Sequence, residues 1–334
     1  MLSTIHMYLL LFFLDGIGLG SSDPLVNPFA HQEMPALSAL LGGRKLLAES
    51  FTPLPQHSTR ASWLSLDACL GVPGLPQSAT GQAALLTGQN IPALLGRHDG
   101  PKPTPEITSI LNNGSVLKSL QQSGYSVSLL NAYPPRYFSA LQSGYRLPGA
   151  IAMTALQAGV SLKTTQDLQN GVALSADFTG QGWRDHLHVP GIPVISPDQA
   201  GERMAQLSAL SSFSIFEFWL SDIEGHHQQM DSACGLLSTL DDVIAGLAGT
   251  WEDEHGLILI TSDHGNLEDL STRRHTANPV PLILIGASQL RQRFLAGMVT
   301  ENPGSVLDLT RVAPAIHYFM APHFNGRLLA ILGS

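Results

Sequence analysis

Aspartates and histidines stand at short spacings in several segments of this sequence. The segment Asp222–His226 carries an aspartate and a histidine four positions apart, and Asp263 is followed directly by His264, with His275 further on. Asp15 precedes a glycine-rich turn. Such mixed aspartate and histidine ligands suit Zn²⁺ or Mn²⁺ better than Ca²⁺. The pattern predicts a metal centre, in which Asp263 and His264 serve either two ions or one.

A hydroxyl nucleophile is predicted at Ser78. It lies in Gln77–Gly81, where small residues allow a tight turn and the close approach of a tetrahedral anion. The residues that follow have the pattern of a helix start, and a helix N-terminus attracts phosphate. Thr80 is the alternative nucleophile, and Ser78 could instead be an ordinary turn or N-cap residue.

Short apolar runs alternate with amphipathic segments along the chain, which is typical of a doubly wound α/β sheet with helices on both faces and mostly parallel strands. The predicted strands are Tyr8–Leu14, Ser126–Leu130, Ile215–Leu220, Leu257–Ile260 and Leu282–Ile285. The predicted helices include Val116–Ser123, Pro197–Leu210, Ala233–Leu247 and Ser305–Ala315.

Carboxylates follow three of these predicted strands. Asp15 comes after the first strand, Asp222 after the third, and Asp263 after the fourth. Because ligands of open α/β sheets bind outside the carboxyl ends of the strands, we expect these side chains to converge at one edge.

Composition bounds the class of protein. The chain has 334 residues, of which 44% are hydrophobic and 13% charged, so it can bury a large core. We expect a metal-binding core formed by residues 1–91 and 213–334, continued by residues 92–212, which could carry a small inserted cap or lid. The net charge of −9 gives no electrostatic reason to bind nucleic acid.

The N-terminal apolar run and the cysteines bear on location. The run at Met7–Leu14 is too short to span a bilayer and has no basic leader, so we expect a buried strand, no membrane partner and a cytoplasmic protein. Cys69 and Cys234 are too few for a disulfide scaffold and are expected to be free thiols. The oligomeric state is left open.

Together these segments resemble the alkaline phosphatase superfamily, and most of all its branch of cofactor-independent phosphoglycerate mutase and phosphopentomutase. The likeness lies in Asp15–Gly16, Ser78–Gly81, Asp222–His226, Thr261–Asn266 and Arg274–Pro281, which occur in the family's order. The stretch from Ser78 to Gly88 also has the spacing of the superfamily's nucleotide pyrophosphatase/phosphodiesterase branch. The middle of the chain is not covered.

The resemblance implies two divalent metal ions, Zn or Mn. It implies that one ion is held by Asp222, His226 and His275, and the other by Asp15, Asp263, His264 and the Ser78 oxygen. It also implies that Ser78 attacks phosphorus and forms a phosphoserine intermediate.

From this resemblance we expect a phosphoesterase acting on a small phosphorylated metabolite. The alternatives are a phosphomutase, a phosphodiesterase or phosphonate hydrolase, and a non-catalytic metal-binding protein. Gln82 stands where the mutases usually carry histidine, and the chain is too short for the large inserted domain of bacterial-type phosphoglycerate mutase. The sulfatase motif is absent at Ser78.

Cationic side chains in the middle of the chain are candidates for binding a substrate's phosphate or carboxylate, because guanidinium groups bind such anions with two hydrogen bonds. Residues of this kind are more often ordinary surface residues. The candidates are Arg97, His98, Lys102, Arg136 and Arg184.

Overall fold

A computed structural model describes residues 7–299 and 306–321 of the chain. Within these ranges a single mixed sheet forms the centre of the molecule, with strand order β2-β3-β7-β6-β1-β5-β4. The strands are β1 (Tyr8–Leu14), β2 (Gln56–His57), β3 (Ala61–Leu66), β4 (Val127–Leu129), β5 (Phe213–Phe218), β6 (Gly256–Thr261) and β7 (Val280–Ile285).

Helices cover both faces of this sheet. Those before β5 are α1 (Pro28–His31), α2 (Pro35–Leu40), α3 (Ser78–Thr87), α4 (Ile91–Leu95), α5 (Pro105–Asn113), α6 (Val116–Gln122), α7 (Pro135–Gln142), α8 (Ala150–Gln157), α9 (Thr165–Gln169), α10 (Gln181–Asp185) and α11 (Pro197–Ser208). Those after it are α12 (Leu220–His227), α13 (Met230–Thr250), α14 (Ser288–Met298) and α15 (Val312–Met320). Two 3₁₀ turns lie at Ala48–Ser50 and Leu309–Arg311.

The two faces of the sheet bury two separate apolar cores. Along β1, Leu11 and Phe13 point into a core shared with α3, α8 and α15. Leu10 and Phe12 point into the other core, shared with α2, α11 and α13. All seven residues of β1 are buried, which explains why the strand is a continuous apolar run rather than an alternating one. The predicted α/β fold is therefore confirmed.

The directions of the strands determine which loops lie at the carboxyl-terminal edge of the sheet. Strand β1 is parallel to β5 and β6, and β4 is parallel to β5, whereas β7 is antiparallel to both β6 and β3. Since β7 runs back against β6, the connection between them lies at the same edge as the carboxyl ends of β1, β5 and β6. Three loops that carry carboxylates therefore meet there.

Several element boundaries differ from the sequence expectation. The third predicted strand ends at Phe218, because Trp219 already has helical φ and ψ and caps α12. Strand β3 was not predicted, because Ser62 and Ser65 interrupt its apolar run. The hydroxyl of Ser62 is satisfied by the guanidinium of Arg291, which explains how it is tolerated in a fully buried strand.

The last predicted helix, Ser305–Ala315, begins outside the described residues. In the described part, α15 starts at Val312 after a 3₁₀ turn, and an isolated bridge joins Asp308 to Asp67.

Two further findings bear on the expectations from composition. No helix in the described ranges is both long enough and apolar enough to cross a membrane. Cys69 and Cys234 are free thiols. The division of the chain into a core and a candidate cap stays a prediction.

Candidate metal and phosphoryl-transfer site

The loop that follows β6 supplies the centre of the site. Asp263 and His264 are both completely buried. The hydroxyl of Ser262 accepts a hydrogen bond from the backbone N–H of Ile17 at 3.0 Å, which ties this loop to the one after β1. The loops after two neighbouring strands are thereby held together.

A first group of ligand atoms combines Asp15, Asp263 and His264. The Nε2 atom of His264 lies 3.4 Å from Asp15 Oδ1 and 3.6 Å from Asp263 Oδ2. One ligand atom from each of the three residues lies within 4.8 Å of the others. This spacing suits three ligands of one cation.

A second group combines Asp222, His264 and His275, whose ligand atoms also lie within 4.8 Å of one another. His275 Nε2 is 3.6 Å from Asp222 Oδ1, and His226 Nε2 is 3.3 Å from Asp222 Oδ2. The imidazoles of His264 and His275 stack with centroids 3.8 Å apart. All seven candidate ligands named from the sequence thus lie in one region of the molecule, with His264 common to both groups.

Backbone carbonyls fix the tautomers of three imidazoles. Nδ1 of His226 lies 2.7 Å from the Arg273 carbonyl oxygen, and Nδ1 of His275 lies 2.8 Å from that of Pro76. Nδ1 of His264 lies 3.4 Å from the Gly265 carbonyl oxygen, a weaker contact. A carbonyl oxygen can only accept, so Nδ1 carries the proton and Nε2 presents its lone pair to the carboxylates.

Burial makes this arrangement costly without a cation. Burial and the neighbouring charges of Asp263 and Asp222 raise the pKa of Asp15 well above its usual value. Burial raises the pKa of Asp263 to about 7 and lowers the pKa of His264 to about 3. Ionised carboxylates and neutral imidazoles are the forms that bind metal ions, and a bound cation would remove the repulsion between them.

The residues present fit a divalent metal. The Oδ1 atom of Asp15 is buried and has no hydrogen-bond partner among the described residues. Lone pairs of carboxylates and imidazoles face one another across distances of 3.3 to 3.6 Å, which is unfavourable unless a cation lies between them. Such a donor set of carboxylate oxygen and imidazole nitrogen atoms is of the kind that binds divalent metal ions.

Ser78 is itself the first residue of α3, whereas the helix was predicted to start in the residues that follow it. The hydroxyl oxygen of Ser78 lies 3.0 Å from His264 Nε2. The hydroxyl of Thr80, the alternative nucleophile, donates instead to the backbone carbonyl of Gln77, and Thr80 is fully buried. A Cβ at Gly81 would lie 2.9 Å from the Asp263 carbonyl oxygen, so glycine lets α3 approach the metal loop closely.

Gln82 occupies the position where the resembling mutases carry histidine, and it lies one turn into α3. Its amide nitrogen lies 3.3 Å from Asp15 Oδ2 and 3.1 Å from Asp263 Oδ2. An amide that donates to both carboxylates orients them without adding a ligand. Gln82, which replaces the histidine of the mutases, thus orients two carboxylates of the group formed by Asp15, Asp263 and His264.

Glu268 was missed by sequence reasoning, although it organises the loops. Its carboxylate accepts hydrogen bonds from the backbone N–H of Gly18 at 3.0 Å and of Asn266 at 2.8 Å. It also accepts from the Thr276 hydroxyl and the Asn278 amide. Only its position in the segment between Asp263 and His275 could have drawn attention to it.

Asn266 was also missed. Its side-chain amide donates to both the backbone carbonyl and Oδ1 of Asp222, the latter at 2.7 Å. Since its own backbone N–H binds Glu268, it links α12 to the loop after β6. The two groups of ligand atoms are therefore joined by a shared network of hydrogen bonds.

The cationic candidates fall in three places. Lys102 and Arg136 line a cavity of about 710 Å³ that also contains Ser78. Arg97 and His98 line a second cavity, of about 560 Å³, beside His226 and His275. Arg184 is exposed, and its guanidinium donates to the Ile192 carbonyl. It is not among the residues that line either cavity, and its role in substrate binding stays a prediction.

Comparison with known proteins agrees with this geometry. A family model described as Metalloenzyme, the Metalloenzyme superfamily, matches residues 161–320. The 2,3-bisphosphoglycerate-independent phosphoglycerate mutase of Pyropia yezoensis is 30% identical over 151 residues, which cover 41% of this chain and 28% of that protein. The enzyme of the same name from Pseudomonas syringae pv. syringae is 34% identical over 95 residues, or 26% and 18% of the two chains. The chain thus matches less than a third of the length of these relatives.

Solved structures show the same fold. The PH0037 protein from Pyrococcus horikoshii aligns with a TM-score of 0.54 and 14% identity, covering 97% of this chain and 100% of that one. The alkaline phosphatase of the Antarctic bacterium TAB5 aligns with a TM-score of 0.50 and 12% identity, covering 95% and 99%.

The sequence match covers the residues that supply Asp222, Asp263, His264 and His275, and the structural likeness extends to the strands that carry Asp15 and lead to Ser78. Residues 161–320 are thus similar to the Metalloenzyme superfamily, and the alkaline phosphatase-like resemblance predicted from the motifs of the chain is confirmed.

Proposed function

We propose that this protein is a metal-dependent phosphoesterase that acts on a small phosphorylated metabolite through Ser78. The observation that carries the proposal is the position of the Ser78 hydroxyl. It lies 3.0 Å from His264 Nε2, at the junction of the two groups of ligand atoms and at the N-terminus of α3.

Two divalent ions would be held by two sets of residues. Asp15 and Asp263 would belong to one set and Asp222 and His275 to the other, with His264 common to both and His226 nearby. When bound, such ions neutralise phosphoryl oxygens and lower the pKa of a hydroxyl nucleophile. Zn²⁺ or Mn²⁺ suits the mixed donors, and the similarity to phosphoglycerate mutases and to an alkaline phosphatase supports this class of chemistry.

The chain's own residues then carry the transfer. The Ser78 hydroxyl gives up its proton to water, and its oxygen forms a bond to phosphorus as the bond from phosphorus to the leaving-group oxygen breaks. The leaving oxygen takes up a proton from water, and a phosphoserine remains. Free backbone N–H groups in the first turn of α3 stabilise the negative charge of the phosphoryl group. Gln82 keeps Asp15 and Asp263 oriented throughout.

Hydrolysis completes the proposed cycle when water attacks the phosphoserine and releases inorganic phosphate. The cavity that contains Ser78 is bordered by exposed side chains, among them Tyr145, which is 92% exposed. Water can therefore reach the serine, and this access favours hydrolysis over transfer back to the substrate.

A phosphomutase is the second candidate, favoured by the similarity to 2,3-bisphosphoglycerate-independent phosphoglycerate mutases. In a mutase the phosphoserine gives its phosphoryl group to another hydroxyl of the same substrate. The two candidates use the same ligand residues and differ in the acceptor alone.

The test is to incubate Zn²⁺- or Mn²⁺-loaded protein with p-nitrophenyl phosphate, sugar phosphates and phosphoglycerates, with a chelated sample as the control. We expect release of inorganic phosphate that depends on the metal. An isomeric phosphate ester without free phosphate would establish the mutase instead. If two ions bind and no ester reacts, the protein binds metal without catalysing phosphoryl transfer and the proposal is wrong.

A further inference from the structure

The cavity that contains Ser78 is also lined by residues that the proposed chemistry does not use. Among them are Lys102, Tyr133, Tyr137, Glu217 and Trp219. Its volume of about 710 Å³ falls in the range typical of small-molecule sites. A leaving group attached to a phosphate at Ser78 would occupy this region.

Glu217 is the unusual residue of this region. It lies in β5, an otherwise apolar strand, and is only 8% exposed. Among residues 7–299 and 306–321, its carboxylate has no hydrogen bond or ion pair, and Lys102 is the positive charge that acts on it from a greater distance. Burying a carboxylate without a partner is costly, so a structural role in the core does not account for it.

The backbone of Glu217 is nevertheless held firmly. The Asn131 side chain accepts from the Glu217 N–H and donates to the Glu217 carbonyl, both at 2.8 Å. Along β5, Phe213 and Ile215 face the same core as α3, so Glu217, two residues further, continues that face toward the cavity. The fold therefore aims a carboxylate at the space beside Ser78.

A cation stands across a gap from this carboxylate. A Cβ built on Gly149 would lie 3.7 Å from Lys102 Nζ and 4.0 Å from Glu217 Oε1, so the two groups flank the same small space without forming an ion pair. The hydroxyl of Tyr133 is buried nearby and has no hydrogen-bond partner among the described residues. Burial, followed by the charge of Glu217, raises the pKa of Tyr133 well above its usual value, which keeps its proton in place.

Aromatic rings form one wall of the same space. Tyr133 stacks on Tyr137 with centroids 4.5 Å apart and lies nearly parallel to Trp219 at 6.5 Å. Because the tyrosines stack on each other, they leave no slot into which a planar ring could insert between them. A one-sided aromatic wall suits the C–H face of a saturated ring or chain.

We propose that Lys102, Glu217 and the aromatic wall bind a leaving group that carries neighbouring hydroxyl groups, so that the substrate is a phosphorylated sugar or polyol. An ionised carboxylate only accepts hydrogen bonds and an ammonium only donates them, whereas a hydroxyl does both. Neighbouring hydroxyls can therefore satisfy Glu217 and Lys102 together.

This inference rests on the proposed function, and matched esters test it separately. Glucose 6-phosphate is compared with n-hexyl phosphate, and glycerol 3-phosphate with n-propyl phosphate, by kcat/KM of the metal-loaded protein. We expect each hydroxylated ester to be preferred by about tenfold or more, since hydrogen bonds to charged groups contribute about 1.5–3 kcal/mol. If the preference is larger for glucose 6-phosphate over n-hexyl phosphate, the leaving group is a sugar. If it is larger for glycerol 3-phosphate over n-propyl phosphate, the leaving group is a polyol.

Glu217→Gln keeps the shape of the side chain and removes the charge. We expect it to reduce the preference for the hydroxylated ester about tenfold, whereas Glu202→Gln, the same change on the exposed surface of α11, leaves the preference unchanged. A preference that is absent in the wild type, or that persists in Glu217→Gln, would overturn the inference.

Binding separates this inference from the proposed function if no ester is hydrolysed. Calorimetric titration of the metal-loaded Ser78→Ala variant with glucose 6-phosphate, n-hexyl phosphate and phenyl phosphate then measures the pocket alone. Tightest binding of the sugar ester, weakened by adding Glu217→Gln, supports the pocket although catalysis fails. Tightest binding of phenyl phosphate would assign the wall to planar leaving groups and contradict the inference.

Discussion

At the scale of single residues, the site is defined by hydrogen bonds that leave specific atoms unused. The Nδ1 atoms of His226 and His275 are hydrogen-bonded to backbone carbonyls, which leaves their Nε2 atoms unused. The buried Oδ1 atom of Asp15 has no hydrogen-bond partner among the described residues. Unused acceptor atoms that face one another are what a cation requires. The suitability of these residues as metal ligands therefore depends on their surroundings as well as on their type.

The first prediction concerns the nucleophile. Ser78→Ala is expected to reduce phosphoester hydrolysis at least about 10³-fold, because it removes the only proposed attacking oxygen. Metal content, measured by mass spectrometry, and the unfolding midpoint should change little. Thr80→Ala is the matched control, since its hydroxyl bonds to the Gln77 carbonyl, and it should keep most of the activity. If Thr80→Ala lost activity and Ser78→Ala kept it, Thr80 would be the nucleophile instead.

The second prediction concerns pH and Glu217. Burial raises the pKa of Glu217 from its usual value near 4.5 to about 7, so the folded state holds the proton more tightly than the unfolded state. The resulting stabilisation is present below pH 4.5 and is lost as the pH rises through about 7. Glu217→Gln cannot ionise, so its stability relative to the wild type should rise between pH 5 and 8 by on the order of 2–3 kcal/mol.

Urea unfolding at several pH values, with both proteins in the same metal state, measures this difference. Glu202→Gln, which removes a carboxylate from an exposed position, is the matched control for the change in charge. A difference between wild type and Glu217→Gln that does not vary with pH would contradict the prediction. Loss of substrate preference together with a gain in stability would mark Glu217 as a residue kept for function.

At the scale of elements, the site depends on how closely α3 approaches the loop after β6. Helix α3 brings Ser78 and Gln82 to the ligands, and the contact is made at Gly81, where a Cβ would come within 2.9 Å of the Asp263 carbonyl oxygen. Because backbone atoms cannot yield as a flexible side chain can, helix and loop must separate to accommodate a methyl group.

The third prediction uses this contact. Gly81→Ala should lower both metal affinity and kcat, although alanine ordinarily stabilises a helix by about 0.5–1 kcal/mol relative to glycine. The matched control is Gly235→Ala in α13, where a Cβ would meet nothing within 4 Å and the usual stabilisation is expected. Metal titration and denaturant unfolding of the two variants give the comparison. Equal metal affinity in the two variants would show that metal binding does not depend on the close approach of α3 to the loop after β6.

At the scale of the whole molecule, the sheet edge is assembled by buried polar contacts between loops distant in sequence. Glu268 binds Gly18, Asn266 and Asn278, so one carboxylate holds the loop after β1 and both ends of the segment between β6 and β7. Both oxygens of this carboxylate therefore act as hydrogen-bond acceptors.

The fourth prediction follows from that network. Glu268→Gln replaces one acceptor oxygen with an amide N–H that would face other donors, so unfolding free energy should fall by about 2–3 kcal/mol. Metal affinity should fall as well, since the loops lose their common anchor. Glu252→Gln, at an exposed side chain, is the matched control for urea unfolding and metal titration. Unchanged stability in Glu268→Gln would mean that the loops are held by other contacts.

Much of the site follows from the sequence alone. Each of Asp15, Asp222 and Asp263 comes at or just beyond the end of a buried strand, and ligand side chains must be of a few types, so pattern and chemistry identify them without coordinates. The continuous apolar run of β1 was recognisable because both faces of the sheet are covered. A helix was predicted from the run Ala83–Thr87, and the structure shows that it begins earlier, at Ser78 itself.

Only the tertiary structure decided the rest, because it depends on contacts between residues far apart in the chain. The order of β3, β7 and β6 in the sheet, and the reversed direction of β7, are set by pairing rather than by local propensity. Glu268 and Glu217 looked like ordinary acidic residues until the fold buried them, one surrounded by donors and the other beside an open cavity. Local pattern determines which side chains can do chemistry, and long-range packing determines which atoms are left free to do it.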